Sequence, residues 1–337
     1  MSAAAVMTTA PAGVYLSSYL EPFQKILSRS DVTDVYVNQP GELWVETVGG
    51  CIERHENRAL TELTLARLIR QVAALTHQGV NREHPLLGAT LPDGSRLQIV
   101  GPPATRGPLA LAIRRQVAHA MTLADYSVSG QFENTRTSAC AAADDRKLRA
   151  LIAARKFSEA LELAVRTRRN IIVSGGTSSG KTTFLNALLR EVPREERIIL
   201  IEDTPELNVD HPNFVGLVSV RDRLGEAKVT TDDLLSASLR MRPDRIILGE
   251  LRGGEALAFL RAVNTGHPGS MTTVHADSPE SAVEQLVLLV LQAGSRLSRA
   301  DVKHYITHSV DLFVHLSRAG GARSVEALTL NETVGGL

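Results

Sequence analysis

The 337 residues carry 37 Lys and Arg against 37 Asp and Glu, with 43% hydrophobic and 4% aromatic residues and two cysteines. That composition excludes disordered, collagenous and disulfide-stapled proteins, and the absence of net charge gives no general pull towards nucleic acid or anionic lipid. The length exceeds what one hydrophobic core organises, so two domains are expected.

The N-terminal stretch MSAAAVMTTAPAGVYLSSYLEPF lacks a basic n-region and a continuous apolar core, and the longest apolar run, 286–291, is too short to span a bilayer. A soluble, cytoplasmic protein is the expectation. Cys51 and Cys140 sit in no CxxC or Cys/His spacing, which supports neither a disulfide framework nor structural zinc. Residues 32–48 alternate apolar and polar around Gln39-Pro40-Gly41-Glu42, a β-hairpin pattern with Val35, Val37, Leu43 and Val45 facing one another. Helical spacing of Leu65, Leu68, Ile69, Val72 and Leu75 predicts a helix over 61–77, packed on that hairpin. Extended segments follow at 89–91, 96–100 and 109–115, the first turning at Pro92-Asp93-Gly94. Residues 1–118 thus read as a small α+β domain. Residues 119–147 have no sustained period and read as an exposed linker with one short helix. Over 148–337, short apolar strands alternate with amphipathic helices, the pattern of a parallel-sheet α/β domain closed by an edge hairpin around Ala319-Gly320-Gly321.

Gly175-Gly176-Thr177-Ser178-Ser179-Gly180-Lys181-Thr182 satisfies G-x-x-x-x-G-K-[ST], between an apolar strand and a helix. In that context backbone N–H groups point at a β-phosphate and the glycines allow close approach. Lys181 neutralises β/γ oxygens and Thr182 offers a hydroxyl to Mg²⁺. Thr183 adds a contact near the α-phosphate. Glu202 and Asp203 end one apolar strand, Glu250 a second and His275 a third. Ligands of open parallel sheets sit outside the carboxyl ends of strands, so these groups converge on the phosphate loop. Two acidic strand ends supply an acceptor for the metal's waters and a base for an attacking water; capping of the next helix is the alternative role for each. Glu206, in the same turn, reads as structural or as an indirect orienter, His275 as a γ-phosphate sensor or a half-buried histidine bonded to backbone, and His267 as a weaker candidate. Arg240, Arg242, Arg245 and Arg252 flank the Glu250 strand, where an arginine reaches a γ-phosphate in this or a neighbouring subunit, or decorates a solvated face. Arg96 follows the PDGS turn, and Arg114 and Arg115 end a strand leading to the linker.

In order and spacing GGTSSGKTT, IEDTPEL, LRMRPDRIILGELRGGEA and TGHPGSMTTVHADSP resemble the four signature boxes of the secretion or traffic ATPase superfamily. The chain is most similar to the hexameric ATPases of type IV secretion and conjugation systems, since the four-cysteine module of type II relatives and the AIRNLIRE-like motif of pilus-retraction relatives are both missing. The resemblance implies a RecA-like domain behind a small α+β domain, and ATP and Mg²⁺ as cofactors. It also implies a homo-oligomer, a hexamer, docked on inner-membrane secretion components at the cytoplasmic face. By the same resemblance Glu202 activates water, Glu250 contacts Mg²⁺ through water with Thr182, and His275 and His267 form the histidine box. Arg96, Arg114, Arg240 and Arg252 match arginines that relatives bring to the nucleotide. Type IV pilus or type II secretion motors are the alternatives within the superfamily. A nucleic-acid motor on the same core is disfavoured by zero net charge and few aromatic platforms. A nucleotide-gated scaffold is disfavoured by the intact Lys181, Glu202 and Glu250.

Overall fold

The computed structural model describes residues 14–115, 123–128, 130, 132–133, 142–220 and 225–331. Cys140, about half of the expected linker at 119–147 and the first residues of the N-terminal stretch lie outside them. The chain forms two compact units, Met1–Val117 with Asp222–Val229, and Ala118–Arg221 with Thr230–Leu337.

The first unit runs α1 (Val14–Leu27), β1 (Val32–Val37), β2 (Glu42–Thr47), β3 (Ile52–Glu56), α2 (Glu62–Leu75), β4 (Leu86–Thr90), β5 (Arg96–Val100) and β6 (Ala110–Arg114). Its antiparallel sheet has the order β3-β2-β1-β6-β5-β4. The predicted hairpin is β1–β2, with Val35 opposite Val45 and Tyr36 opposite Trp44. Alternation puts Val35, Val37, Leu43 and Val45 on the face that packs with Leu65, Leu68 and Val72 of α2 and Phe23 of α1 in one core. Thr61 caps α2, its hydroxyl accepting the Thr64 N–H at 3.1 Å. The segment 222–229 belongs to this unit through the Lys228 N–H, which donates to the Glu83 carbonyl at 2.9 Å, and through the ion pairs Lys228–Glu83 and Arg82–Glu226.

The second unit runs α3 (Leu123–Val128), α4 (Ala142–Ala153), α5 (Phe157–Arg166), β7 (Ile171–Gly175), α6 (Lys181–Leu189), β8 (Ile198–Glu202), β9 (Phe214–Val218) and α7 (Thr231–Ser238). It continues with β10 (Arg245–Leu251), α8 (Glu255–Asn264), β11 (Met271–Val274), α9 (Pro279–Gln292), α10 (Arg299–Ser309), β12 (Leu312–Ala319) and β13 (Ala322–Leu330). The sheet order is β13-β12-β7-β11-β10-β8-β9, parallel throughout except for the β12–β13 hairpin. Apolar strands such as Ile198–Glu202 are buried on both faces because helices cover both sides. No helix among the described residues is long and apolar enough to cross a membrane.

The parallel arrangement separates the arginines that flank Glu250 in sequence. Arg245 starts β10, at the amino end of the sheet, and is completely buried. Its Nε donates to Glu196 Oε2 at 2.5 Å, and its Nη2 to Glu196 Oε1 at 3.0 Å and the Val165 carbonyl at 2.8 Å. Arg242 pairs with Asp244 at 3.1 Å. A Cβ on Gly269, whose φ is +81°, would lie 2.5 Å from Arg245 Nη1, so this turn needs glycine for both conformation and space.

Candidate functional site

Strand β7 delivers the chain to the phosphate loop and α6 carries it away, which leaves the loop at the carboxyl end of the sheet. A Cβ at Gly175 would lie 2.5 Å from the Leu316 carbonyl, and Ser178 holds a left-handed φ of +60°. Lys181, at the first position of α6, is only 8% exposed. Its ammonium donates to the carbonyls of Gly175 at 2.9 Å and Gly176 at 3.1 Å, and to His275 Nδ1 at 3.3 Å.

An ammonium has no lone pair, so Nδ1 is the acceptor and Nε2 carries the imidazole proton. That nitrogen faces Glu250 Oε1 at 2.8 Å. Glu250 Oε2 accepts from Arg252 Nε at 2.6 Å, and Arg252 Nη1 reaches Asp203 Oδ2 at 3.1 Å. Lys181, His275, Glu250, Arg252 and Asp203 therefore form one continuous charged chain across the ends of β7, β11, β10 and β8. Burial pushes the Lys181 pKa down, the Glu250 carboxylate opposes that shift, and the Arg252 guanidinium adds to it. The hydrogen bond to Glu250 holds Arg252 above its ordinary value despite partial burial.

Glu202 closes β8 and is buried. Its Oε1 accepts the N–H groups of Glu206 and Leu207, each at 2.9 Å, which fixes the turn that follows. Glu206 Oε2 accepts from the Thr182 hydroxyl at 3.2 Å. Between these groups lies a cavity of about 270 Å³ lined by Thr177, Ser178, Gly180, Lys181, Thr182, Thr183, Glu202, Glu250, Arg252 and His275.

The other sequence candidates fall elsewhere. His267 lies before β11, at the opposite end of that strand from His275, with Nδ1 3.1 Å from the Ala262 carbonyl. Arg240 is exposed between α7 and β10, on the amino side of the sheet, and does not line the cavity. Arg96 and Arg114 lie in the first unit as direct cross-strand partners of β5 and β6, with Arg114 3.6 Å from the buried Asp34. One charged residue lining the cavity escaped the sequence reading. Arg323, just beyond the β12–β13 turn, donates from Nε to the Ser178 carbonyl at 3.1 Å. Nothing in the periodicity of that hairpin distinguishes it from any other exposed arginine.

Among the described residues, no group of three His, Cys, Asp or Glu is arranged to hold a metal. Magnesium held with phosphate oxygens and waters asks less: one hydroxyl and nearby carboxylates, and Thr182, Glu206 and Glu250 supply hard oxygen donors on this cavity. The donor set fits that ion.

A phosphate loop on a mostly parallel sheet, with acidic side chains at the ends of neighbouring strands, defines a P-loop α/β protein of the RecA-like kind. The family model described as "Type II/IV secretion system protein" matches residues 18–322. The chain belongs to the type II/IV secretion system protein family and is an ATPase of it. It is 37% identical to the type IV secretion system protein VirB11 of Bartonella henselae over 317 residues, covering 90% of this chain and 89% of the relative. It is 37% identical to PtlH of Bordetella pertussis, also described as a type IV secretion system protein, over 308 residues and 90% of both chains. The crystal structure of the VirB11 ATPase from the Brucella suis type IV secretion system, in complex with sulphate, superposes with a TM-score of 0.89 at 35% identity, covering 96% of each chain.

Proposed function

We propose that the chain hydrolyses ATP with Mg²⁺ as one subunit of a homo-hexamer that powers type IV secretion from the cytoplasmic face of the inner membrane. The observation that carries this reading is the chain from Lys181 through His275 to Glu250 and Arg252 at the mouth of the phosphate loop. Lys181, desolvated and held by loop carbonyls, exchanges those acceptors for β/γ oxygens when a nucleotide enters. His275, hydrogen-bonded to Lys181 and with Nε2 2.8 Å from Glu250 Oε1, senses that exchange and passes it to the β10 end. Glu202, whose one oxygen is fixed by two backbone N–H groups, orients and deprotonates the attacking water. Glu250 and Thr182 are the residues that would hold the metal, which supplies screening of phosphate charge when bound. Arg252 stands beside Glu250 as a counter-charge for the transition state.

Arg96 and Arg114 supply further positive charge from the first unit, and exposed Arg240 is available to a neighbouring subunit. Secretion as the purpose is supported by the names of relatives that match nearly full length. The test joins native mass spectrometry with steady-state hydrolysis. The expected result is a hexamer in ATP and Mg²⁺ with turnover abolished in Lys181→Ala, because the γ-phosphate loses its positive partner. A monomer with full turnover, or an active Lys181→Ala protein, would overturn the proposal.

A further inference from the structure

Helix α10 carries two histidines one turn apart, and both are exposed. Its buried residues Val302, Ile306 and Ser309 define the face turned to the core, so His304 and His308 stand on the solvent side. Their ring centroids are 4.0 Å apart, with the planes tilted by 47°. His308 Nδ1 lies 3.0 Å from the His304 carbonyl, and a carbonyl only accepts, so Nδ1 carries the proton of the neutral ring. That leaves His308 Nε2 as a lone-pair donor, on the far side of the ring from the helix backbone.

We infer that His304 and His308 hold one borderline divalent transition-metal ion, of the zinc, nickel or copper class, as its two protein ligands with water completing the shell. Residues four apart on a helix share a face, and rings already this close need only small side-chain rotations to turn a nitrogen of each onto one ion at about 2.0–2.1 Å. The bond from Nδ1 to a backbone carbonyl is the kind of outer contact that orients a ligating imidazole and raises its basicity. The surrounding charge works in the same direction. The pair sits in the second half of α10, with His308 in its last turn, where the helix dipole favours a cation. Asp301, one turn before His304, is held below the ordinary carboxylate value chiefly by its hydrogen bonds with Ser298, with His304 adding to the shift, so it brings a negative charge to that face. The cations of the same helix are engaged elsewhere, since Arg299 and Lys303 both pair with Glu284 of α9. Imidazole donors select this class of ion over Mg²⁺, which takes hard oxygen ligands, so the pair does not compete for the ion of the nucleotide cavity. The bound ion clamps the last turn of α10, directly before β12, and so stabilises the folded chain.

The experiment titrates Ni²⁺ into the full chain without nucleotide, by calorimetry, and repeats denaturant unfolding with and without the ion. Wild type should take up one equivalent at this pair. His304→Gln and His308→Gln should each weaken that binding at least about tenfold, and the double variant should lose little beyond either single change, because the same chelate is broken in all three. Ni²⁺ should raise the unfolding free energy of wild type and not that of the double variant. Lys303→Gln, on the same helix, should bind like wild type, and excess Mg²⁺ should not displace the ion. These positions are all exposed, so the substitutions leave the core intact. Binding that responds to neither histidine, a loss in only one of the two single variants, or displacement by Mg²⁺ overturns the inference.

Discussion

The two ends of the seven-stranded sheet are built from the same charged residue types and use them in opposite ways. At the amino end, Arg245 and Arg197 are 0% and 1% exposed and donate to Glu196, to Asn213 and to backbone carbonyls. At the carboxyl end, the side chains of Arg252 and His275 are 48% and 47% exposed, and Lys181 rests on carbonyls that a phosphate can replace. A guanidinium enclosed by fixed acceptors holds the fold together, because its removal leaves buried acceptors short of a donor: Glu196 would retain only Arg168 at 3.3 Å. A cation at the open end has partners it can exchange, which is what a site for a charged ligand requires.

The sharpest way to break this contrast is Arg245→Ala. Glu196, itself buried, would lose its bidentate partner and keep only the Arg168 contact at 3.3 Å, and the loss should be about 3 kcal/mol of unfolding free energy. Denaturant unfolding of the apo protein measures it. Arg245→Lys should recover little, since one ammonium cannot reproduce the fork that grips Glu196 and the Val165 carbonyl. A loss under about 1 kcal/mol would mean that the amino-end network is decoration, and the contrast would fall.

At the other end the same logic predicts an effect on rate rather than stability. Glu250→Gln keeps the shape of a side chain that accepts from Arg252 and lies beside His275 but removes its charge, so turnover should drop about a hundredfold, or about 2.7 kcal/mol in barrier. Unfolding free energy should stay within about 1 kcal/mol of wild type. A stable but fully active variant would reduce Glu250 to a structural partner of Arg252.

The phosphate loop, the acidic strand ends and His275 were legible because their signal is local: a glycine-rich spacing between a strand and a helix, and polar residues at the ends of apolar runs. The arginine run was not. Read along the chain, Arg240, Arg242 and Arg245 surround Glu250, but a strand rises about 3.3 Å per residue, and β10 carries Arg245 and Glu250 to opposite ends of the sheet. The start of an apolar run is as informative as its end, and the amino-end assignment of Arg245 was available from that alone. Arg323 could not be found in the same way, since its contact with Ser178 spans 145 positions and depends on where the hairpin folds back. Helices α1, α5 and α10 and strands β3 and β9 have no expected counterpart. α1 holds Pro22 inside the helix, and β3 is a half-exposed strand of charged residues, so each defies the simplest pattern for its class.

Arg96 extends the contrast to the first unit. It lies directly opposite Arg114 in the sheet and is exposed, an arrangement that costs a little stability through like-charge repulsion. If it serves the nucleotide, Arg96→Ala should lower turnover about tenfold or more, worth about 1.4 kcal/mol, while unfolding free energy holds or rises by a few tenths. Arg54 is the structural counterpart in the same sheet. Its Nε donates to the buried Glu42 at 2.8 Å and its guanidinium lies 5.6 Å from the Trp44 ring centroid, so Arg54→Ala should lower stability and leave turnover per folded molecule unchanged. The same response from both variants in both assays would erase the distinction between the two arginines.

The smallest effect concerns a titrating group of the structural end. His211, on the loop that feeds the amino end of β9, is 6% exposed and donates from Nε2 to the Pro193 carbonyl at 2.9 Å. Burial pushes its pKa below the ordinary 6.5, with the Arg194 guanidinium adding to the shift. The unfolded chain takes up a proton near that ordinary value while the folded chain resists it, so the unfolded state binds more protons as pH falls. The stability from neutral His211 is therefore complete above the ordinary histidine value and is lost as pH falls from there through the lower folded-state value, with a slope that cannot exceed about 1.4 kcal/mol per pH unit for one group. Unfolding free energies measured from pH 7.5 downwards should fall less steeply in His211→Gln than in wild type. An identical slope in the two proteins would show that this end of the sheet tolerates a charged His211, and that its buried groups are less committed than the arginines beside them.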